Sequence, residues 1–374
     1  MKSKKYILFV FGTRPEAIKL APLIIEAKNN SRLKVKVCIT GQHREMLHQV
    51  LTFFKIKPDF DLNIMKSNQS LSGLTANLIS KLEKIISLEK PDCIIVQGDT
   101  TTAYAGALVG FYNNTKIAHV EAGLRSKNIK EPFPEEFNRV SISKITDFHF
   151  TPSKLSSNNL LSESINKKNI YEVGNTVIDA LLLTLENTTS SFKNKFLKKL
   201  NLNPSKKLVL VTGHRRESFG KPFENICDAL MKIAKKFPNT ELLYPVHLNP
   251  NVKEVVHQKL SNQNNIKLIN PVSYPEMALL LQQCSFIITD SGGIQEEAPA
   301  LGKPVLVTRN VTERQEVIKS GNAILVGTNP KKIFETAKEL ITNQNAYKKM
   351  SSAINPYGNG TSSKKIISIL VKSL

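Results

Sequence analysis

The sequence predicts an α/β protein with two Rossmann-like domains, each built on a parallel sheet that helices cover on both faces. Short apolar segments alternate with amphipathic segments along almost the entire chain. The apolar segments are continuous, as expected of strands that βαβ crossovers bury on both faces. At 374 residues, the chain is also too long for one ordinary hydrophobic core.

In the first half, apolar segments predict strands at residues 6–11, 34–39, 93–96, 116–120, 148–150 and 170–173. Amphipathic segments predict helices at residues 15–28, 44–54, 71–88, 101–111 and 135–145. Residues 184–204 lose this rhythm and become polar. The hinge between the domains is therefore expected between residue 171 and this polar stretch.

A second alternating series follows. Its predicted strands are residues 208–212, 241–245, 265–268, 286–289, 304–307 and 323–326. Its predicted helices are residues 222–236, 251–260, 274–283, 294–300 and 331–340. Residues 363–374 predict a final amphipathic helix, which caps the second domain or crosses back to the first. The simplest architecture is two Rossmann-like domains that face each other across a cleft.

Charge and composition argue against several classes of function. The net charge is +21, but the lysines are spread over nearly every predicted helix and loop, so an anionic small substrate is a better inference than nucleic acid. No segment approaches the roughly 20 apolar residues of a membrane span, and the N-terminal apolar run is too short for a signal peptide. Four widely separated cysteines indicate reduced core cysteines in a cytoplasmic protein. Neither metal-binding histidine spacing nor a nicotinamide-binding GxGxxG is present, so no metal and no NAD are predicted.

Charged residues follow several predicted strands of the first domain at their carboxyl ends, where parallel sheets bind ligands. Arg14, directly before Pro15 at the start of a helix, suits an anion contact, as Lys19 does less strongly. Surface charge near a turn is the alternative for both.

Three acids of the first domain are expected at this same edge, namely Asp99, Glu121 and Glu135. Crowded carboxylates shift one another's pKa, so the group suits general acid/base chemistry, with Arg125 and Arg139 close by. For Asp99 alone, capping the next helix is a simpler role.

In the second domain, His214 and two arginines follow a buried strand and can reach phosphates. The turn Asp290-Ser291-Gly292-Gly293 leads from another strand into a helix whose N-terminus favours an anion. A tight turn without a ligand is an equal alternative for those residues alone. Glu296 and Glu297 either complement the helix dipole or hold sugar hydroxyls.

Nine segments, taken together, resemble the non-hydrolysing UDP-N-acetylglucosamine 2-epimerases. They are FGTRPEAIKLAPLI (11–24), GQHREML (41–47), QGDTTT (97–102), HVEAGLRS (119–126), FPEEFNR (133–139), GNTVIDAL (174–181), TGHRRESFG (212–220), YPVHLNPNV (244–252) and TDSGGIQEEAPALGKPVLV (289–307). With residues 355–358, the resemblance covers essentially the whole chain.

The resemblance implies a GT-B-like fold, with residues 1–172 and a returning helix at 360–374 as the first domain and residues 173–359 as a UDP-binding domain. It also implies a homodimer that interconverts UDP-N-acetylglucosamine and UDP-N-acetylmannosamine without NAD or metal, supplying precursor for surface polysaccharide. The implied reaction is anti elimination of UDP to 2-acetamidoglucal, followed by re-addition.

By position, the resemblance implies acid/base roles for Asp99, Glu121 and Glu135, and diphosphate contacts for Arg14 and His214, with His214 counted among the catalytic residues. Further implied substrate contacts are Lys19, Ser291, Gly292, Gly293, Glu297 and Arg314. An activating UDP-N-acetylglucosamine is expected near Gln42, His43 and Arg216.

One departure is Gln315, which stands where the family usually has proline and puts the rigidity of that loop in question. Two alternatives stay open: a hydrolysing relative that releases free N-acetylmannosamine, and a GT-B glycosyltransferase.

Overall fold

A computed structural model describes residues 4–41, 44–65 and 69–374. The chain divides into two compact units. Unit 1 comprises Met1–Ala180 and Tyr357–Leu374, and unit 2 comprises Leu181–Pro356. Each unit is built on one parallel sheet with helices between successive strands, which confirms the two Rossmann-like domains.

Unit 1 contains a seven-stranded parallel sheet in the order β3-β2-β1-β4-β5-β6-β7. The strands are β1 Lys5–Phe11, β2 Leu33–Ile39, β3 Phe60–Asp61, β4 Cys93–Gln97, β5 Lys116–Val120, β6 Phe148–Thr151 and β7 Ile170–Glu172. The helices are α1 Arg14–Lys28, α2 Arg44–Phe53, α3 Leu71–Glu89, α4 Thr101–Tyr112, α5 Glu135–Ile145 and α6 Lys154–Ser162. The strand order reverses between β1 and β4, and such a switch point is where this fold binds ligands.

After α7 (Thr176–Asn187), unit 2 contains a six-stranded parallel sheet in the order β10-β9-β8-β11-β12-β13. Its strands are β8 Lys207–Thr212, β9 Thr240–Pro245, β10 Ile266–Ile269, β11 Phe286–Thr289, β12 Val305–Val307 and β13 Ala323–Leu325. Its helices are α8 Ser190–Leu200, α9 Lys221–Lys236, α10 Pro250–Leu260, α11 Tyr274–Gln283, α12 Gly292–Glu297, α13 Gln315–Lys319, α14 Pro330–Thr342 and α15 Gln344–Ser351. The switch point lies between β8 and β11.

The polar stretch at residues 184–204 contains the end of α7 and the whole of α8, a helix that the sequence pattern does not indicate. Thr189 caps α8 by accepting the Phe192 N–H, and Phe196 and Leu200 are buried. Two buried apolar residues four positions apart form a narrow stripe, which gives only a weak helical periodicity in a lysine-rich sequence.

The last helix, α16 (Ser362–Ser373), belongs to unit 1 and packs on α1, so the predicted return to the first domain is confirmed. The Asn175 N–H donates to the Tyr357 carbonyl at 2.9 Å. Asp179 accepts the N–H groups of Ser362 and Ser363 at 3.3 and 2.7 Å. These bonds tie the start of α7 to unit 1, so the division falls after residue 180, whereas the sequence suggests 172.

Within the described ranges, none of the helices combines the length and the apolar character that crossing a membrane requires.

Candidate active site

Glu121 leaves the end of β5 in an unusual conformation. Its φ is 64°, in the left-handed region that costs a residue with a Cβ about 1–2 kcal/mol. Lys19 Nζ lies 2.8 and 2.6 Å from its two carboxylate oxygens. Gln97 at the end of β4 donates a further hydrogen bond to it. Partners from α1 and β4 therefore fix this nearly buried carboxylate at the edge of the sheet.

Asp99 does not cap the next helix, and that simpler interpretation of its role is wrong. Thr100 is the cap of α4, because its hydroxyl oxygen accepts the Ala103 N–H at 3.0 Å. The Asp99 carboxylate instead lies 2.5 Å from Arg139 Nη2, and its main-chain carbonyl accepts a hydrogen bond from the Asn138 amide at 2.9 Å. Residues of α5 thus hold Asp99, whose carboxylate is part-exposed at the ligand edge.

Glu135 and Glu136 begin α5 and are in different environments. Glu136 is 2% exposed and accepts the main-chain N–H groups of Ser126 and Lys127, with Arg139 Nη1 at 3.3 Å. Glu135 is half-buried, and its carboxylate forms neither a hydrogen bond nor an ion pair with another described residue. The hydrogen bonds of Glu136 therefore fix the start of α5, whereas the Glu135 carboxylate takes no part in that support.

Arg125 is held away from an anion-binding role. Its guanidinium contacts both carboxylate oxygens of Glu163, at 2.6 and 2.8 Å, and also donates to the Ser143 hydroxyl. The hydrogen bonds from Arg125 keep the pKa of Glu163 below its usual value. Of the two arginines expected near the acids, only Arg139 contacts one of them.

The turn from β1 to α1 contains a buried acid that the sequence analysis missed. Thr13 caps α1, Arg14 is the first helical residue, and Glu16 completes a capping box with Thr13. The Glu16 carboxylate also accepts the Thr100 hydroxyl at 2.7 Å. Burial raises the pKa of Glu16, although these hydrogen bonds oppose the shift. The signal was available, because Thr-x-x-Glu before an apolar run is a capping-box pattern.

A buried histidine supports the turn that carries Asp99. His119 on β5 has its Nε2 2.7 Å from the Gly98 carbonyl, so this nitrogen carries the proton and donates. Burial lowers the pKa of His119 to about 3 and that of its register neighbour His149 on β6 to about 4. Both rings are therefore neutral near pH 7.

In unit 2, an aspartate at the end of β11 positions His214 at the end of β8. Asp290 is 1% exposed, and its Oδ2 accepts the N–H groups of His214 and Arg215 at 2.7 and 2.8 Å. Its Oδ1 lies 3.4 Å from His214 Nδ1. The ring of His247 stacks on the ring of His214, with 5.3 Å between the ring centroids. Burial lowers the pKa of His214, with Asp290 opposing the shift.

The glycine turn after β11 lies beside two arginines. A Cβ added at Gly292 would be 3.6 Å from Arg215 Nη2, 3.8 Å from Glu313 Oε1 and 3.9 Å from Arg314 Nη2. One added at Gly293 would be 3.9 Å from Glu297 Oε2. Both glycines have ordinary helical backbone. Ser291 precedes them as the N-cap of α12, but its hydroxyl makes no capping hydrogen bond. Local conformation therefore requires neither glycine.

The two acids of α12 have separate partners. Glu296 is 1% exposed and lies 2.6 Å from Arg314 Nε, while Glu297 accepts the Tyr274 hydroxyl at 2.8 Å. Gln315, the departure from the family pattern, donates its amide to the Thr312 carbonyl at 2.5 Å. That bond braces the loop in place of a proline.

The three residues named for an activating site are not described in full. Gln42 and His43 lie outside the described residues, and nothing is described of the Arg216 side chain. In the part of the chain that is described, no group of three or more His, Cys, Asp or Glu side chains could hold a metal ion.

A family model described as UDP-N-acetylglucosamine 2-epimerase matches residues 25–371. The chain is 50% identical over 369 residues to the UDP-N-acetylglucosamine 2-epimerase of Salmonella borreze, with 98% of each chain covered. The chain belongs to the UDP-N-acetylglucosamine 2-epimerase family. A Campylobacter jejuni protein of the same name is 50% identical over 374 residues, again with 98% of each chain covered.

Solved structures agree with this assignment. The UDP-GlcNAc 2-epimerase of Neisseria meningitidis, crystallised with UDP-GlcNAc, is 46% identical and superposes with a TM-score of 0.91 over 98% of this chain and 100% of that one. The predicted GT-B-like fold class is thereby confirmed.

Proposed function

We propose that this chain interconverts UDP-N-acetylglucosamine and UDP-N-acetylmannosamine by inverting C2, without hydrolysis and without NAD or a metal. The family membership supports the substrate. The observation that carries the proposal is Glu121, held by Lys19 and Gln97 in a left-handed conformation at the ligand edge of unit 1. Local strain of this kind persists where surrounding structure enforces it, and it concentrates at functional sites.

The chemical problem is that the C2–H bond of the sugar is not acidic. In the proposed reaction, UDP leaves from C1 as a base removes the C2 proton, giving 2-acetamidoglucal. UDP then adds back to C1 while a proton is delivered to the opposite face of C2, so atoms and charge balance over the cycle. Such a reaction needs carboxylates near C2 and cations or hydrogen-bond donors at the leaving diphosphate.

We assign the proton transfers to the acids of unit 1, namely Asp99, Glu121 and Glu135, without dividing the two faces among them. Glu121 and Asp99 follow adjacent strands, and Arg139 on α5 joins Asp99 to the helix that Glu135 begins. This arrangement supports placing all three acids beside one sugar ring. Arg14 would contact the diphosphate, and Lys19 would act through Glu121 as well as near the substrate.

We assign UDP binding chiefly to unit 2. The α12 turn, Ser291 to Gly293, would hold the diphosphate, with Arg314 beside it and Glu297 on the uridine ribose. Two observations support this: the guanidinium groups of Arg215 and Arg314 flank Gly292, and the uncrowded glycines leave the backbone open to an approaching phosphate. His214, neutral because burial lowers its pKa, would donate a hydrogen bond to the diphosphate.

The protein would be a cytoplasmic homodimer, and its product would be a precursor of surface polysaccharide. UDP-N-acetylglucosamine would also activate it, through a site near Gln42, His43 and Arg216.

Proton NMR in heavy water tests the proposal. Purified protein is mixed with UDP-N-acetylglucosamine and no other cofactor, and the account requires UDP-N-acetylmannosamine with deuterium at C2. Release of free N-acetylmannosamine and UDP would show a hydrolysing enzyme. Substrate that stays unchanged until a sugar acceptor is added would show a glycosyltransferase.

A further inference from the structure

Glu16 is a buried acid that joins two separate turns of unit 1. Glu16 is 1% exposed. Oε2 accepts the N–H groups of Gly12 and Thr13 at 3.1 and 2.7 Å, and Oε1 accepts the Thr100 hydroxyl at 2.7 Å. The first two bonds lie in the β1–α1 turn, and the third crosses to the β4–α4 turn.

These two turns flank the switch point of the sheet. β1 and β4 are neighbouring parallel strands, so the turns that follow them lie side by side at the carboxyl edge. The first turn presents Arg14, and the second presents Asp99. Glu16 therefore links the elements that carry a proposed diphosphate contact and a proposed acid/base group.

Helix capping alone does not account for the third bond. A capping box is complete with the contacts between Glu16 and Thr13. Thr100 belongs to another helix, where its oxygen already accepts the Ala103 N–H at 3.0 Å and its proton goes to Glu16. One carboxylate thus satisfies donors at the starts of both α1 and α4, where negative charge is favoured.

We propose that Glu16 is a positioning residue that fixes the Arg14 turn relative to the Asp99 turn. The proposal rests on the proposed function, because it concerns the geometry of the same site. Glu16 touches no substrate in this account. It acts by keeping the proposed anion contact and acid at one separation, and displacement of reacting groups by about 1 Å can lower a rate by about a hundredfold.

The test compares Glu16→Gln with a matched control, Asp179→Asn. Both residues are buried acids of unit 1 that accept main-chain N–H groups at a helix start, and burial raises the pKa of both. Asp179 caps α16, and no described hydrogen bond joins it to either turn. Glu16→Gln should lower kcat by about ten- to a hundredfold with a smaller change in KM, while Asp179→Asn lowers thermal stability and keeps kcat within about twofold.

Substitutions of Thr100 test the link itself. Thr100→Ser keeps the hydroxyl and should retain wild-type kcat, whereas Thr100→Val should lower kcat as Glu16→Gln does. The double variant Glu16→Gln/Thr100→Val should be no slower than Thr100→Val alone, because both changes remove the bond between Glu16 and Thr100 and Thr100→Val also removes the cap of α4. Independent, multiplying losses would overturn the proposal, as would a kcat for Glu16→Gln within twofold of wild type.

Hydrogen exchange of the unliganded proteins gives a result that does not depend on activity. Glu16→Gln should speed amide exchange in residues 98–103, and Asp179→Asn should leave that segment unchanged. Unchanged exchange in Glu16→Gln would overturn the positioning role even if the enzyme is active. If Glu16→Gln speeds amide exchange but the wild-type protein forms no UDP-N-acetylmannosamine, the link is retained and the proposed function is overturned.

Discussion

The carboxyl edges of the two sheets have the same topology, but the charges of their supporting residues are opposite. In unit 1, cations support acids: Lys19 holds Glu121 and Arg139 holds Asp99. In unit 2, acids support donors and cations: Asp290 positions His214, and Glu296 holds Arg314. The same strand-turn-helix design therefore carries acids paired with cations in unit 1, and a histidine and an arginine paired with buried acids in unit 2.

The largest effect is expected from replacing Glu121, the acid of unit 1 that Lys19 holds. Glu121→Gln should fold, since glutamine keeps the shape and can accept from Lys19, but C2 exchange should fall by about a thousandfold. Deuterium incorporation at C2, followed by NMR, measures it, with UDP affinity by calorimetry as the control. Exchange near the wild-type rate would remove Glu121 from the proton transfer.

A pair of glycine substitutions separates structure from ligand binding. Gly123 has φ 87°, and a Cβ there would lie 2.3 Å from the Ser156 carbonyl oxygen. Gly123→Ala in unit 1 should therefore cost about 3 kcal/mol of stability or prevent folding. Gly292→Ala in unit 2 should change the free energy of unfolding by less than about 1 kcal/mol, because helical alanine is favourable and its Cβ is uncrowded.

The informative result for Gly292→Ala is its affinity for UDP, which calorimetry should show to be weakened at least about tenfold. Urea unfolding measures stability for both variants. Undiminished UDP binding by folded Gly292→Ala would contradict the assignment of this turn to the diphosphate.

Removing a supporting acid of unit 2 should have a smaller effect. Glu296→Gln keeps one acceptor for Arg314 but loses the ion pair, so UDP binding should weaken by about three- to tenfold. Lys19→Met in unit 1 is the matched change, because it removes the cation behind an acid. It should lower C2 exchange far more than UDP affinity, and the reverse pattern would contradict the comparison.

Two histidines on neighbouring strands offer a graded test within unit 1. His119→Phe removes the donor to the Gly98 carbonyl and should lower kcat by about tenfold, whereas His119→Gln keeps a donor near Nε2 and should restore much of it. His149→Phe is the control, being equally buried in the same register without a bond to that turn. Equal losses of kcat in the two Phe variants would show that the effect is general packing.

The same histidines predict how stability depends on pH. Both have pKa values well below 6.5 in the folded protein, so below about pH 6.5 the unfolded chain binds protons that the folded chain does not. Each histidine should therefore cost up to about 1.4 kcal/mol of stability per pH unit below about pH 6, a loss that levels off near pH 4 for His149 and near pH 3 for His119. Urea unfolding of wild type and of His149→Phe at pH 7 and 5 measures the loss of stability on acidification. An equal loss in the two proteins would contradict the lowered pKa of His149.

Much of the fold could be predicted because buried parallel strands are uninterrupted apolar runs. Strand β11 was predicted to the residue, and β1 and β4 to within one. Strand β3 has two residues and α8 has a narrow apolar stripe, so neither leaves a strong periodic signal. Thr100 and Asp99 are both good N-caps, and only the backbone decides between them.

The candidate site could be predicted only in part, for a similar reason. Parallel-sheet topology places Asp99 and Glu121 at one edge, so sequence position alone was informative. The partners were not predictable, because Lys19 and Glu121 are 102 residues apart and Arg314 and Glu296 are 18 apart in a loop without periodicity. Glu16 left a capping-box signal, but its bond to Thr100 depends on β1 and β4 being neighbours.

The central claim is that unit 2 keeps hold of UDP while unit 1 exchanges the C2 proton. Positional isotope exchange tests it most directly, with UDP-N-acetylglucosamine carrying ¹⁸O in the bond between the sugar and the diphosphate. The account predicts that ¹⁸O moves from the bridging to the non-bridging positions of the β-phosphate as deuterium from heavy water enters C2. Deuterium at C2 with all ¹⁸O still in the bridge would contradict cleavage of the C1–O bond with a freely rotating β-phosphate, and loss of ¹⁸O from the sugar nucleotide by exchange with added unlabelled UDP would contradict retention of UDP by unit 2.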